Sequence, residues 1–281
     1  MINGSLLFSK IQLIVDDKVS AASIFFLSFI FILSCLAPIL PVGDPFQIGA
    51  GMRLSPPSID DWMGTDNLGR PMFARVLSGI KTTFLLSTFA VLIAGLVGGM
   101  AGILAAYFGP LTDEILTRIA DIFFAFPPLL LGLIIIATFQ PGVASVMIAI
   151  VLYSIPTIFR VVRASALVIK TQDFLTIAEV LRTSKLKVIL AHYGLNILPV
   201  LSVQLVYSIS LAMLLESALS FLGLGVQPPG ASLGSLIRDS LLYLEFAPWL
   251  LLFPSITLSL IILSINQLAD MADNLVQPKR Y

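Results

Sequence analysis

Five long runs of the chain contain no Asp, Glu, Lys or Arg: Val19 to Gly43, Thr82 to Thr112, Ile122 to Phe159, Val188 to Leu215 and Phe246 to Ala269. A helix needs about 20 mostly apolar residues to cross roughly 30 Å of hydrocarbon, so each run is long enough to span a bilayer. The third is too long for one crossing, since at 1.5 Å per residue it would reach roughly 57 Å. Gln140-Pro141-Gly142 interrupts it with turn chemistry, dividing it into two helices joined by a tight hairpin. The pattern predicts an all-α, polytopic membrane protein with six transmembrane helices.

Its expected division is a cytosolic segment over 1–18, a first transmembrane helix over 19–41 and an extracytoplasmic loop over 42–81. A membrane domain of five helices over 82–272, with a connecting loop at about 166–192, and a cytosolic tail over 273–281 complete it. The first apolar run exceeds a signal-peptide core and no small-x-small cleavage site follows it, so it reads as a retained span.

Composition agrees with lipid as the solvent. Hydrophobic residues make up 58% of the 281 and charged ones only 11%, where soluble domains carry about 25% charged residues. Sixteen basic and sixteen acidic residues cancel, which gives no reason to expect a nucleic-acid partner. Distribution says more than the sum. With loops alternating sides, eleven basic residues (Lys10, Lys18, Arg118, Arg160, Arg163, Lys170, Arg182, Lys185, Lys187, Lys279 and Arg280) fall on one side. Arg53, Arg70, Arg75, Lys81 and Arg238 fall on the other. The positive-inside rule then puts both termini and the loop between spans four and five in the cytosol. Cys35 has no intrachain partner and His192 is the single histidine, so neither a disulfide nor a metal centre is expected. No phosphate-binding loop ending in Gly-Lys-Ser or Gly-Lys-Thr occurs. The chain is therefore expected to bind no cofactor, to be no enzyme, and to take its energy from elsewhere.

In the loop between spans four and five, Phe174, Ile177, Ala178 and Leu181 recur at i, i+3, i+4 and i+7, one face of a short helix that Asp173 opens. Two turns of helix are not stable alone in water, so this face needs a partner. Amphipathicity does not say whether the partner is the chain's own helix ends or another subunit.

Four segments carry a resemblance. Phe174 to Pro199, with His192, Asn196 and Leu198-Pro199 in order, resembles the coupling loop of ATP-binding-cassette importer permeases. Thr176 and Arg182 stand where that family usually has glutamate and glycine. Arginine tolerates positive φ poorly, so the turn after the helix is expected to be built differently. Gly64-Thr65-Asp66, with Gly69-Arg70 following, resembles the segment after the first span in the C-type permeases of dipeptide, oligopeptide and nickel importers, with Pro71 at that family's usual aspartate. Glu216-Ser-Ala-Leu-Ser220-Phe-Leu-Gly223-Leu-Gly225-Val-Gln227-Pro228-Pro229 is similar to that family's signature, and Leu268-Ala-Asp270-Met-Ala-Asp273 to its ending, although Gln277-Pro278 replaces the final Asp-Pro.

This resemblance implies the type I permease fold of the importers and an address in a bacterial inner membrane. It implies a permease forming half of a pathway for di- or oligopeptides, with nickel or a metal chelate as the alternative substrate. Partners would be membrane lipid, a second homologous permease, two ATPase subunits and an extracytoplasmic solute-binding protein. Asp173, Phe174, Ile177, Ala178, Leu181 and Arg182 would couple to the ATPase. The span-bordering carboxylates Asp121 and Glu216 are the candidates for a pathway or gate; a secondary transporter would need its own intramembrane ion site, for which only these two are available. Ionisable groups there commonly face a cavity, although each lies near a helix end where snorkelling is cheap. Phe126-Pro127-Pro128 should kink the third span. Gly95, Gly98, Gly99 and Gly102 form a small-residue packing seam, and Leu233, Leu236, Ile237, Leu241 and Leu244 mark a short amphipathic helix at the outer surface.

Overall fold

The computed structural model describes residues 18–276. Most of the expected N-terminal cytosolic segment, Lys10, Gln277-Pro278, Lys279 and Arg280 lie outside the described residues. Among those described, the helices are α1 Lys18–Leu36, α2 Met72–Phe108, α3 Pro110–Phe124, α4 Pro128–Phe139, α5 Val143–Lys170, α6 Asp173–Val180, α7 Lys185–Phe221, α8 Leu233–Ser240 and α9 Trp249–Val276. The pairing outside them that resembles a strand is a single antiparallel bridge between Thr65 and Pro71.

Helices α1, α2, α5, α7 and α9 are each long and apolar enough to cross a bilayer, and α3 with α4, bent by 87°, is a sixth candidate, a broken span or a re-entrant loop. The bend falls at the expected proline pair: Pro127 and Pro128 supply no backbone N–H, so after Ala125 N donates to Asp121 O at 3.0 Å and Phe126 N to Phe123 O at 3.3 Å the ladder of α3 cannot continue. Helix α4 has 12 residues, about 18 Å, less than a full crossing. Helix α3 carries Asp113, Glu114, Arg118 and Asp121, a charge load that sets it apart from the lipid-facing helices.

Two helices outrun the charge-free segments that announced them. Helix α2 begins at Met72 rather than near Thr82, so the last ten residues of the expected outer loop are helical. Helix α5 continues through Arg160 and Arg163 to Lys170, so both arginines stand on a rigid helix rather than in a loop. A charge ends a hydropathy run but does not end a helix, and long charged side chains at a helix end reach water readily.

Helix α2 is the central post. A side chain added at Gly98 would lie 2.8 Å from Ile155 O, and at Gly102 2.9 Å from Arg163 N, both on α5. At Gly95 it would lie 2.5 Å from Leu205 Cδ2 on α7. The small-residue seam thus serves two neighbours, and close backbone approach is what lets three helices share one core. The peripheral α1 buries only Ser20, Ser23 and Ser34. Turns at 37–71, 140–142 and 222–248 gather at one end of the bundle, where Gly142 N donates to Leu224 O. Arg118, Arg160, Arg163, Lys170, Arg182, Lys185 and Lys187 mark the other, basic end.

Candidate functional site

At the basic end, α6 is held between α5 and the start of α7. Asp173 is its first residue, placing a negative charge in the first turn where it complements the unpaired N–H groups. The helix has two apolar faces rather than one. Leu175 and Ala178 are buried, 5% and 4% exposed, in a cluster with Val188, Ile189, Tyr193 and Ile197. Ile177, Val180 and Leu181 point away from the protein and are 58%, 77% and 72% exposed. Phe174 stands at the border, stacked on the His192 ring with centroids 6.0 Å apart. Of the four residues read as one face, Ala178 is therefore turned inward, and Val180 takes a place outside. The i, i+3, i+4 spacing covers a broad arc, and in a helix that must also be anchored the arc is divided between anchor and free surface.

The turn after α6 corrects another expectation. Arg182 adopts φ +51°, Thr183 N donates to Ala178 O at 3.0 Å and Leu181 N to Ile177 O at 2.9 Å. A six-residue closure around a left-handed residue is the usual glycine-type helix stop, made here with arginine. Satisfying the last carbonyls of α6 outweighs the cost of left-handed backbone, about 1–2 kcal/mol. Beyond it, Val188–Gly194 is a turn of π-helix that carries His192 and leads into the rest of α7.

Charge pairs fix the surroundings of α6. Arg163 on α5 forms a two-pronged pair with Asp113 on α3, one arm at 2.6 Å. Arg160 donates to Asp121 at 2.7 Å and lies 4.0 Å above the Phe124 ring. Lys170 Nζ caps Ala106 O at 2.5 Å. Asp121 is about half exposed in this pair and acts as a strut between α3 and α5, not as a buried ion site.

Glu216 has a different environment from the one its position suggests. It is completely buried, so it does not snorkel. Thr83 Oγ1 on α2 donates to its Oε2 at 2.9 Å, Ser220 Oγ to its Oε1 at 2.6 Å, and Ser217 Oγ lies 3.4 Å from Oε2. The same Thr83 hydroxyl accepts from Leu233 N at 3.2 Å. Ser232 caps α8 reciprocally with Ser235. Helix ends cluster here, but each is covered by another, which is why proximity to an end does not bring water.

The segment after α1 folds around Asp66. Its carboxylate accepts from Leu68 N at 2.8 Å, Arg70 N at 2.9 Å and Arg70 Nε at 2.6 Å. Thr65 is sewn to the 52–55 strand of chain through Met52 O and Ser55 N. Gly64 and Gly69 have φ +73° and +71°, and a side chain on either would lie 2.4 Å from a carbonyl oxygen, of Ser55 or Gly51. Gly64, Thr65, Asp66, Gly69 and Arg70 therefore form one closed turn held by its own hydrogen bonds. Arg75, on α2, joins it and stands out in sequence only as one of the five basic residues of the outer side; Tyr207, whose hydroxyl donates to Asp270 at 2.5 Å and ties α7 to α9, does not stand out there. Arg75 meets Asp66 and Pro45, 9 and 30 residues away, and Tyr207 meets Asp270, 63 away, all beyond any helical or turn spacing.

A family model for the inner membrane component of binding-protein-dependent transport systems matches residues 98–280. A putative peptide transport system permease protein of Brucella suis is 35% identical over 253 residues, covering 90% of this chain and 85% of that one. The dipeptide transport system permease protein DppC of Alkalihalophilus pseudofirmus is 30% identical over 94% of this chain and 86% of its own length. The glutathione transport system permease protein GsiD of Escherichia coli is 34% identical over 79% and 74%. Among solved structures, a chain of the methionine transporter MetNI in an inward-facing conformation superposes with a TM-score of 0.61 at 14% identity, over 74% of this chain and 98% of that one.

Proposed function

The chain belongs to the family of inner membrane components of binding-protein-dependent transport systems, the permease subunits of ATP-binding-cassette importers, and from that premise we propose that it forms half of a translocation pathway for di- or oligopeptides. The ATPase is a separate subunit, and this chain is its multi-pass inner-membrane partner. The second half of the pathway is a homologous permease, two ATPase subunits lie in the cytosol, and an extracytoplasmic binding protein delivers solute. Both termini face the cytosol, as the basic residues at the α6 end favour. Peptides are the substrate class favoured by relatives named for peptide, dipeptide and glutathione transport.

The observation that carries the mechanism is the outward face of α6. Ile177, Val180 and Leu181 expose apolar side chains on a helix too short to hold itself together, beside seven cations that keep it out of lipid. Such a face is suited to a groove on a soluble subunit. The inner face, through Leu175 and Ala178, is packed against α7, so a displacement of α6 by the closing ATPases is passed to a spanning helix. ATP-driven closure then opens the pathway outward, and hydrolysis resets it.

An Ile177→Asp variant tests this in the reconstituted importer. Its melting temperature should stay within a degree or two of the parent, because the side chain is exposed, while ATP-driven uptake falls at least tenfold through a charge buried at the docking face. Full uptake would overturn docking through this face. For the substrate, the ligand held by the cognate binding protein should be a peptide; a nickel ion or chelate there would overturn the peptide assignment.

A further inference from the structure

At the loop end, a cavity of about 260 Å³ opens between the Asp66 turn and α8, lined by Arg70, Arg75, Ser235, Arg238, Asp239 and Tyr243. A recess behind it is lined in addition by Asp66. Three guanidinium groups therefore share two carboxylates. Arg70 takes the one good bond to Asp66 Oδ2, at 2.6 Å. Arg238 is occupied by its neighbour Asp239, to which Nε and Nη2 donate at 2.9 and 2.7 Å.

Arg75 is left short. It is 3% exposed, its Nη1 donates to Pro45 O at 3.2 Å, and its Nε stands 3.4 Å from the Asp66 oxygen that Arg70 already holds. Among the described residues, that Nε has no hydrogen-bond partner. A buried guanidinium with an unmade bond is costly unless an acceptor completes it. Carboxylate is the acceptor whose planar shape and charge match.

We propose that this cavity is a carboxylate-binding site, in which Arg75 and Arg238 hold one carboxylate borne on a short stem. The lining charge of three against two leaves one positive charge to be balanced. Val226, Pro228 and Leu242 complete the walls, lowering the local dielectric and strengthening an ion pair made there. Drug-sized ligands occupy pockets of about 300–1,000 Å³, so this volume suits a single short acid and not a whole oligopeptide. Two sources carry that chemistry: a small free carboxylate, or an acidic side chain presented by a protein docked on this face. Only the extracytoplasmic location rests on the proposed orientation; the binding does not.

Calorimetric titration of the purified permease in detergent, with both ends open to solvent, is the test. N-acetylglycine should bind saturably, and the uncharged N-acetylglycinamide should not. Asp239→Asn removes the carboxylate that competes for Arg238 and should tighten N-acetylglycine about tenfold, whereas Arg238→Gln, at a partly exposed site, should weaken it about tenfold. Equal heats for acid and amide, or unchanged affinity in Asp239→Asn, would overturn the site. In the assembled importer, N-acetylglycine that competes with capture of the binding protein identifies a docked side chain as the occupant, and binding without competition identifies a free acid. Orientation is read separately, by labelling engineered thiols with an impermeant reagent, so its failure leaves the titration standing.

Discussion

Thr83 Oγ1 donates to Glu216 and accepts from Leu233 N, so one hydroxyl joins α2, α7 and the start of α8. Thr83→Val keeps the shape and deletes both bonds, leaving a buried carboxylate oxygen and a buried N–H short of partners. The expected loss is about 2–3 kcal/mol, seen as a lower thermal midpoint in detergent, and Thr83→Ser should recover most of it. An unchanged midpoint in Thr83→Val would mean that Ser217 and Ser220 suffice. Arg182 offers the opposite sign. Glycine accepts φ +51° without the left-handed penalty but is floppier when unfolded, so Arg182→Gly should stabilise the α6 stop by about 0.5–1 kcal/mol. Hydrogen exchange at the Thr183 amide, which closes the turn on Ala178 O, should slow by two- to fivefold, about the ratio that such an energy gives.

Among the elements, the spans were legible because lipid enforces a strict rule: a long charge-free run has few other uses. The hairpin at Gln140-Pro141-Gly142 and the break at Pro127-Pro128 were legible because proline deletes a backbone donor. Helix α3, the extension of α5 and the two-faced packing of α6 were not, since each depends on which neighbour a side chain meets. Ala178 shows the difference in measurable form. An Ile177→Asp variant should keep its fold and lose coupling, whereas Ala178→Asp places a charge in the Leu175, Val188, Ile197 cluster and should lower the melting temperature itself, costing several kcal/mol unless the charge is neutralised. If both variants melt like the parent, the inward face of α6 is not an anchor. Gly102→Val makes a similar point within the bundle. Its side chain would meet Arg163 N and Phe159 O at 2.9 and 3.0 Å; backbone cannot step aside as a side chain can, so α2 and α5 must separate, at about 1–3 kcal/mol.

For the whole molecule, the two ends carry different chemistry, and the difference has a mechanical reading. At the loop end, carbonyls and carboxylates are closed by glycine turns and hydroxyls: Asp66 with Arg70, Thr65 with Met52 and Ser55, Glu216 with Thr83. Little there is left to move independently. At the basic end, α3 is hinged by the 87° bend and joined to α5 by ion pairs, while α6 rests on a π-helical turn and exposes an apolar face. A π-turn interrupts the regular i to i−4 ladder and recurs at functional sites, and this one lies beside the face that an external subunit would push. Coupling of this kind requires that the basic end face the ATPase compartment. In a Cys35→Ser background, a thiol introduced by Leu186→Cys, at a residue 67% exposed beside α6, should react with an impermeant maleimide only after the membrane is breached. A thiol introduced by Ile59→Cys, at a residue 92% exposed in the loop after α1, should react in intact spheroplasts. The reverse pattern would put α6 outside the cell, away from any cytosolic ATPase, and would overturn the coupling mechanism while leaving the fold untouched.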